Sequence, residues 1–241
     1  MGPAPDHALT PREFVEECYA FKREHAPRGA FLRKLVAGRL SRDELLAWMR
    51  EGFYYTEPAE PNIAAWLSHA PVVPDKRIYR ALARNLAGEM GYLGEGEHFA
   101  LYVQMLEGVG ISLEEVRRHV PLATTLGAAA AVGAFCRSSF EEGLGAFGLA
   151  VEMQVPGRVA GAEVLYTALR DHYDLDRKTL EFYEIHVEAE EEHGENAMQA
   201  VEMFASTYEQ QVRVRRAFRW SVIAHTAMAE GYDALLISRA A

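Results

Sequence analysis

Phe182-Tyr183-Glu184-Ile185-His186-Val187-Glu188-Ala189-Glu190-Glu191-Glu192-His193-Gly194-Glu195 is the stretch from which the rest of the chain can be read. At about 100° per residue, His186, Glu190 and His193 fall within roughly 60° of one another on a helix. Phe182, Tyr183, Ala189, Ala197 and Ala200 extend that stripe, while Glu184, Glu188, Glu192 and Glu195 point away from it. Alone, the segment suits an acidic solvated helix with incidental histidines equally well. The apolar company of the histidine stripe shifts the balance towards burial. An unpaired buried carboxylate costs several kcal/mol or takes up a proton, and a metal ion removes that cost.

The same helical spacing recurs outward from this segment, as in Phe14, Cys18 and Phe21 or Leu45, Trp48 and Met49. Thr10 with Glu13, Ser41 with Glu44 and Ser112 with Glu115 place a hydroxyl three residues before a carboxylate, the pattern of a capped helix start. Breakers at Pro27-Arg28-Gly29, Pro58 to Pro61, Pro71 to Pro74, Gly88 to Gly96, Pro121 and Pro156-Gly157 divide the chain. No alternating run bounded by a hairpin turn is present, so the expectation is an all-α chain of seven or eight helices. With no linker, residues 1–241 read as a single helical domain with a flexible tail over about residues 1–10.

A net charge of −10, from 25 Lys+Arg against 35 Asp+Glu, argues against nucleic-acid and anionic-membrane partners, which need a basic footprint. The longest apolar run, Leu126 to Phe135, is half of the ~20 residues a membrane helix requires. MGPAPDHALT has no secretion-signal pattern, and two cysteines, Cys18 and Cys136, form no disulfide framework. A cytoplasmic location is expected.

Other segments offer groups that match the histidine stripe. Glu152 is a lone acid in the apolar run Phe147 to Val155. Glu89 and His98, nine residues apart, lie on opposite sides of any continuous helix and can share a site only if the helix unwinds at Gly88, Gly91, Gly94 and Gly96. Three imidazoles and three carboxylates without a thiolate suit iron or manganese, and six ligands suit two metals. Glu95-x-x-His98 and Glu190-x-x-His193 also admit a ferritin-like di-iron scheme with Glu152 and a further acid such as Glu51 or Glu57, which leaves His186 idle.

Asn85-Leu86-x-x-Glu89 followed by His98, Glu152-Met153-Gln154-Val155-Pro156-Gly157-Arg158, and His186-x3-Glu190-x2-His193 together resemble the haem-oxygenase-like di-iron oxidases and oxygenases. That group shares a seven-helix bundle with thiaminase type II and pyrroloquinoline quinone synthase. The resemblance implies an all-α, haem-oxygenase-like seven-helix bundle whose ligands are Glu89, His98, Glu152, His186, Glu190 and His193, with Glu95 an alternative to Glu89. It also implies two Fe ions and O2 as co-substrate, an external electron donor, and a homodimer. Manganese or a mixed Mn/Fe pair is compatible with the same donors. Members of the group cleave C–C bonds of fatty or amino acids, hydroxylate nitrogen, or make para-aminobenzoate from their own tyrosine. Leu32 and Ala162 stand where that last branch needs its tyrosine and lysine, which excludes it.

The expected substrate is therefore a small, carboxylate-bearing molecule oxidised at C–H or N–H, with Tyr54 and Tyr55 reaching its pocket. The hydrocarbon wall is expected from Phe182, Ala197 and the Leu149 helix. Gly52-Phe53-Tyr54-Tyr55 is similar to the metal-free quinone synthase, which gives the alternative of a metal-independent oxidase. Cys136 lies where a thiaminase keeps its nucleophile but reads as a buried structural thiol. A non-catalytic binding or regulatory protein of the same fold is a third reading. His225 on its apolar helix reads as a hydrogen-bonding core residue, and His69, His119 and His172 as helix-end caps. Arg213, Arg215, Arg216 and Arg219 read as a solvated or subunit-contact face.

Overall fold

The computed structural model describes residues 6–71, 76–94, 96–155 and 161–237, and their side chains apart from those of Ile78 and residues 188–198. In chain order the α-helices are α1 (Pro11–Glu24), α2 (Ala30–Val36), α3 (Arg42–Thr56), α4 (Ala59–Ser68), α5 (Arg77–Glu89), α6 (His98–Gly108), α7 (Leu113–Arg118), α8 (Ala123–Cys136), α9 (Phe140–Gly143), α10 (Gly161–His172), α11 (Arg177–Phe204) and α12 (Tyr208–Gly231). A π-helical segment, Leu144–Glu152, continues α9, and a 3-10 turn, Tyr232–Leu235, follows α12. Among the described residues the one β-type contact is an isolated bridge between Met90 and Glu97. The chain is all-α, in more pieces than the seven or eight expected. The extra pieces include α2, α7 and α9, of 7, 6 and 4 residues, too short to display a helical period.

Capping fixes several boundaries. Thr10 with Glu13 and Ser41 with Glu44 form complete capping boxes, whereas Ser112 accepts the Glu115 N–H at 3.2 Å without a return bond. Within the stretch expected to be a tail, about residues 1–10, Leu9 is held: its N–H donates to Gln211 Oε1 at 2.9 Å and Gln211 Nε2 returns a bond to Leu9 O at 2.8 Å. Residues 1–5 lie outside the described residues.

Apolar stripes bury into two clusters. One gathers Phe14, Phe21, Trp66, Leu144 and Phe218; the other gathers Phe31, Trp48, Phe53, Met105 and Leu180. α12 carries much of the first, packed against α8 and the π segment. Gly145 makes that approach possible: a Cβ there would lie 2.2 Å from the Val214 carbonyl oxygen. Gly145→Ala should therefore lower the unfolding free energy by about 2 kcal/mol, read as a lower urea midpoint at unchanged slope. An unchanged midpoint would show that α12 yields freely at this contact.

The basic run of α12 divides: Arg213 and Arg216 are exposed as expected, whereas Arg215 and Arg219 turn inward. Arg215, 5% exposed, holds Glu17 through two bonds of 2.9 and 3.0 Å; Arg219 joins Glu17 at 2.8 Å. Arg213 pairs with Glu141 at 3.0 Å, and Arg216 with Glu142. No helix among the described residues is long and apolar enough to cross a membrane.

Candidate metal centre

A cavity of about 1090 Å³ opens where the two clusters meet, lined by Trp48 and Phe182 from one and by Val132 and Phe147 from the other. Its chemistry is concentrated where α5, α6 and α11 converge. α5 ends at Glu89 and α6 begins at His98. Between them Gly91, Gly94 and Gly96 take φ of +75°, +97° and +89°, values that other L-residues rarely adopt, and the chain reverses. The unwinding expected from the glycines therefore happens, although Gly88 itself stays helical. The two residues that a continuous helix would set on opposite sides now touch, with His98 Nδ1 3.0 Å from Glu89 Oε2.

α11 brings the third group. One ligand atom each from Glu89, His98 and His186 lie within 4.8 Å of one another. The imidazole rings of His98 and His186 are 4.7 Å apart between centroids. His186 Nδ1–H donates to the Phe182 carbonyl at 2.6 Å, which leaves Nε2 with its lone pair free for coordination. Burial, then the nearby His98, holds His186 below the usual imidazole range, so the ring is neutral.

His98 is 6% exposed, and neither ring nitrogen finds a hydrogen-bond partner in an orientation that makes a bond. Buried polar atoms are rarely left so, and an imidazole flanked by a carboxylate and a second imidazole fits a cation. This donor set, two imidazoles and a carboxylate with no thiolate, suits iron or manganese.

Glu152 ends the π segment and lines the same cavity. Lys22 of α1 braces its neighbourhood by donating to the carbonyls of Leu149, Ala150 and Met153 at 3.4, 3.1 and 2.5 Å. Glu190 and His193 belong to α11 by backbone, but their side chains, like that of Ala197, lie outside the described ones. Glu95 lies outside the described residues too. Neither acid named for the ferritin-like alternative joins the cluster. Glu51 accepts from His119, Leu122 and Thr125 away from the cluster, and Glu57 is exposed.

An acid the sequence did not single out is Glu60, on α4. Its Oε1 is buried without a partner, and burial, then Glu97 and Glu89, raises its carboxyl above the usual range. Pro58 and Pro61 flank it, so the sequence reads there as a breaker and not as a site. Arg84, also missed, is the one Lys or Arg among the described cavity-lining residues.

The two tyrosines part company. Tyr55 lines the cavity, whereas Tyr54 donates to the carbonyls of Val116 and His119 at 2.8 and 2.7 Å, away from it. From the expected Leu149 wall, Phe147 and Val151 face the cavity while Leu149 is buried in the core. Cys136 is fully buried, and its thiol is pushed up to about 12 by desolvation, so it supplies no thiolate at neutral pH.

His225 is hydrogen-bonded to Tyr55 and held down at about 4, first by burial and then by the charge of Lys22. Its unfolded value is 6.5. Between the two the unfolded chain binds a proton that the folded one refuses, so stability is full above pH 6.5 and falls as pH drops towards 4. The fall due to this residue is up to about 3 kcal/mol. Denaturant titrations at stepped pH should show a shallower decline for His225→Gln than for wild type.

Residues 46–226 match a family described as "Iron-containing redox enzyme". A curated relative, the pyrroloquinoline-quinone synthase of Ectopseudomonas mendocina, is 27% identical over 109 residues, 45% of this chain and 42% of that protein. The match thus spans less than half of the relative's length. A Shewanella denitrificans domain of unknown function with a haem-oxygenase-like fold superposes with a TM-score of 0.73 at 16% identity, covering 93% of this chain and 92% of the other. A TenA homologue from Pseudomonas syringae pv. tomato gives 0.74 at 14%, covering 95% and 96%. A CADD-like protein of unknown function from Nostoc punctiforme gives 0.73 at 15%, covering 93% and 97%. The architecture is haem-oxygenase-like.

Proposed function

Because the chain belongs to the iron-containing redox enzyme family, we propose that its buried Glu–His cluster holds iron and that the protein is an O2-dependent oxidase or oxygenase of a small organic acid. The observation that carries this reading is His98, an imidazole buried in the cluster whose Nε2 has no hydrogen-bond partner and whose Nδ1 meets only the Glu89 carboxylate, 3.0 Å away. Two irons are proposed, because Glu152 shares the cavity and Glu190 and His193 follow His186 at one-face spacing on α11. Two ferrous ions with three carboxylates, Glu89, Glu152 and Glu190, would leave the site net positive and attractive to an anion. Iron bound there supplies O2 activation for oxidation at a C–H or N–H bond.

The chain's own residues prepare for that chemistry. The Phe182 carbonyl fixes the His186 tautomer, so that Nε2 faces the cluster as a neutral donor. Trp48, Phe147, Val151 and Phe182 wall the cavity with hydrocarbon and exclude water from the reacting centre. Arg84 offers a guanidinium to a substrate carboxylate. A subunit partner and an external electron donor remain part of the proposal.

A second reading, a metal-independent oxidase of the quinone-synthase kind, is favoured by the 27% identity to such an enzyme. Metal analysis of aerobically purified protein separates the two, followed by anomalous diffraction at the Fe and Mn edges. Two metals among Glu89, His98, Glu152, His186, Glu190 and His193 are expected. Metal-free protein that still consumes O2 with an organic substrate would favour the second reading. Inertness towards O2 under every metal and ligand condition would point to a non-catalytic binding role.

A further inference from the structure

Tyr55, Tyr102, Tyr183 and Tyr232 all line the cavity, and they differ in what can receive the phenolic proton. Tyr102 donates to the Met49 carbonyl at 2.8 Å, and an amide carbonyl oxygen is a far weaker base than an imidazole. Tyr232 meets the hydroxyl of Thr125, which is no better as a base. Tyr183 stacks on Trp48 and meets Phe182 edge-on. Among the described cavity tyrosines, Tyr55 is the one whose hydroxyl meets an imidazole. Its Oη lies 2.5 Å from His225 Nε2, with the rings T-shaped at 5.3 Å between centroids.

The state of that imidazole follows from its surroundings. His225 bonds to the Ser221 backbone through its other nitrogen, and it is neutral at pH 7. Nε2 therefore presents a lone pair and accepts the Tyr55 O–H. The acid of the candidate ligand set nearest in effect is Glu152, the first charge acting on Tyr55 after burial itself.

We propose that Tyr55 and His225 form a redox-active pair, in which Tyr55 surrenders one electron to an O2-oxidised iron centre while its phenolic proton crosses to His225 Nε2. The O–H bond of Tyr55 breaks and an N–H bond forms on His225. The iron centre falls by one oxidation level, and a neutral phenoxyl radical remains beside an imidazolium. Moving the proton with the electron avoids a buried cationic phenol, whose desolvation alone would forbid the step. The charge acting on His225 is the ammonium of Lys22, which disfavours the imidazolium and so returns the proton to the phenoxyl oxygen once an electron comes back. The return of an electron from substrate or an external donor, with the proton from His225, restores the pair. Its use is to discharge the oxidant when the cavity holds no substrate.

The proposal rests on the iron reading, so iron content is measured before any O2 is added. Ferrous-loaded wild type, Tyr55→Phe and His225→Gln are then mixed with O2 without substrate, frozen at increasing times and examined by electron paramagnetic resonance. A tyrosine radical, narrowed when the protein carries ring-deuterated tyrosine, is expected in wild type and absent from Tyr55→Phe. His225→Gln keeps a hydrogen-bond acceptor that cannot hold the proton, and it should lose the radical at unchanged iron content. Should Tyr55→Phe fail to fold, the glutamine variant decides. A wild type that binds iron and consumes O2 without a tyrosine radical, or a radical that survives in either variant, overturns the proposal. A chain that takes up no iron removes the oxidant and sinks the iron reading and the pair's role together, visibly at the first step.

Discussion

Replacing His98 by leucine should reduce bound iron to background while leaving the metal-free protein no less stable than wild type. The two halves of this result have one cause. In the metal-free chain the imidazole is buried with Nε2 unpartnered and Nδ1 in contact with Glu89 alone without a well-formed hydrogen bond, a condition that costs about 1–3 kcal/mol. Leucine removes the polar atoms and nearly fills the space, so its packing mismatch is offset by a desolvation penalty no longer incurred. With iron present the same substitution removes one of three donors that lie within 4.8 Å. Iron analysis after loading, paired with denaturant unfolding of metal-free protein, checks both halves. An ordinary core histidine would behave oppositely, losing stability and retaining iron.

Glu51→Ala should cost about 3–5 kcal/mol, the largest stability effect expected of a single polar substitution here. Glu51 is 0% exposed and accepts from His119 Nε2 at 2.7 Å, Leu122 N–H at 3.0 Å and Thr125 Oγ1 at 2.5 Å. These bonds tie α3 to the turn between α7 and α8. Truncation strands three donors around an empty pocket. Glu51→Gln, which keeps the volume and one acceptor oxygen, should fall between wild type and alanine. A guanidinium titration that placed the alanine variant within 1 kcal/mol of wild type would mean that water replaces the carboxylate at little cost.

What the sequence discloses and what it hides divide along a physical line. Local signals were legible: the hydroxyl–carboxylate spacing at Thr10 and Ser41 became real caps, and the glycines after α5 made the reversal that joins Glu89 to His98. Tyr54 and Tyr55 lie about 100° apart on one helix, and the structure separates them, Tyr55 to the cavity and Tyr54 to the carbonyls of the α7 end. Contacts made at long range were hidden. Glu17 and Arg215 are 198 positions apart, so nothing in either neighbourhood marks the arginine as an internal partner. Glu60 sits between prolines and acquires its orphaned oxygen only through the packing of α4 against α5. The π segment was equally hidden, because its apolar residues would serve an ordinary helix as well.

That segment has a consequence for how the protein tolerates change. A wider coil advances fewer degrees per residue, so over Leu144–Glu152 the lag accumulates and sets the azimuth at which Glu152 leaves the backbone. Were the stretch to tighten by a deletion, its oily character would survive intact while the terminal carboxylate swung to another bearing. The gauge of the coil, more than the identity of any side chain within it, decides whether that acid is available to the cavity.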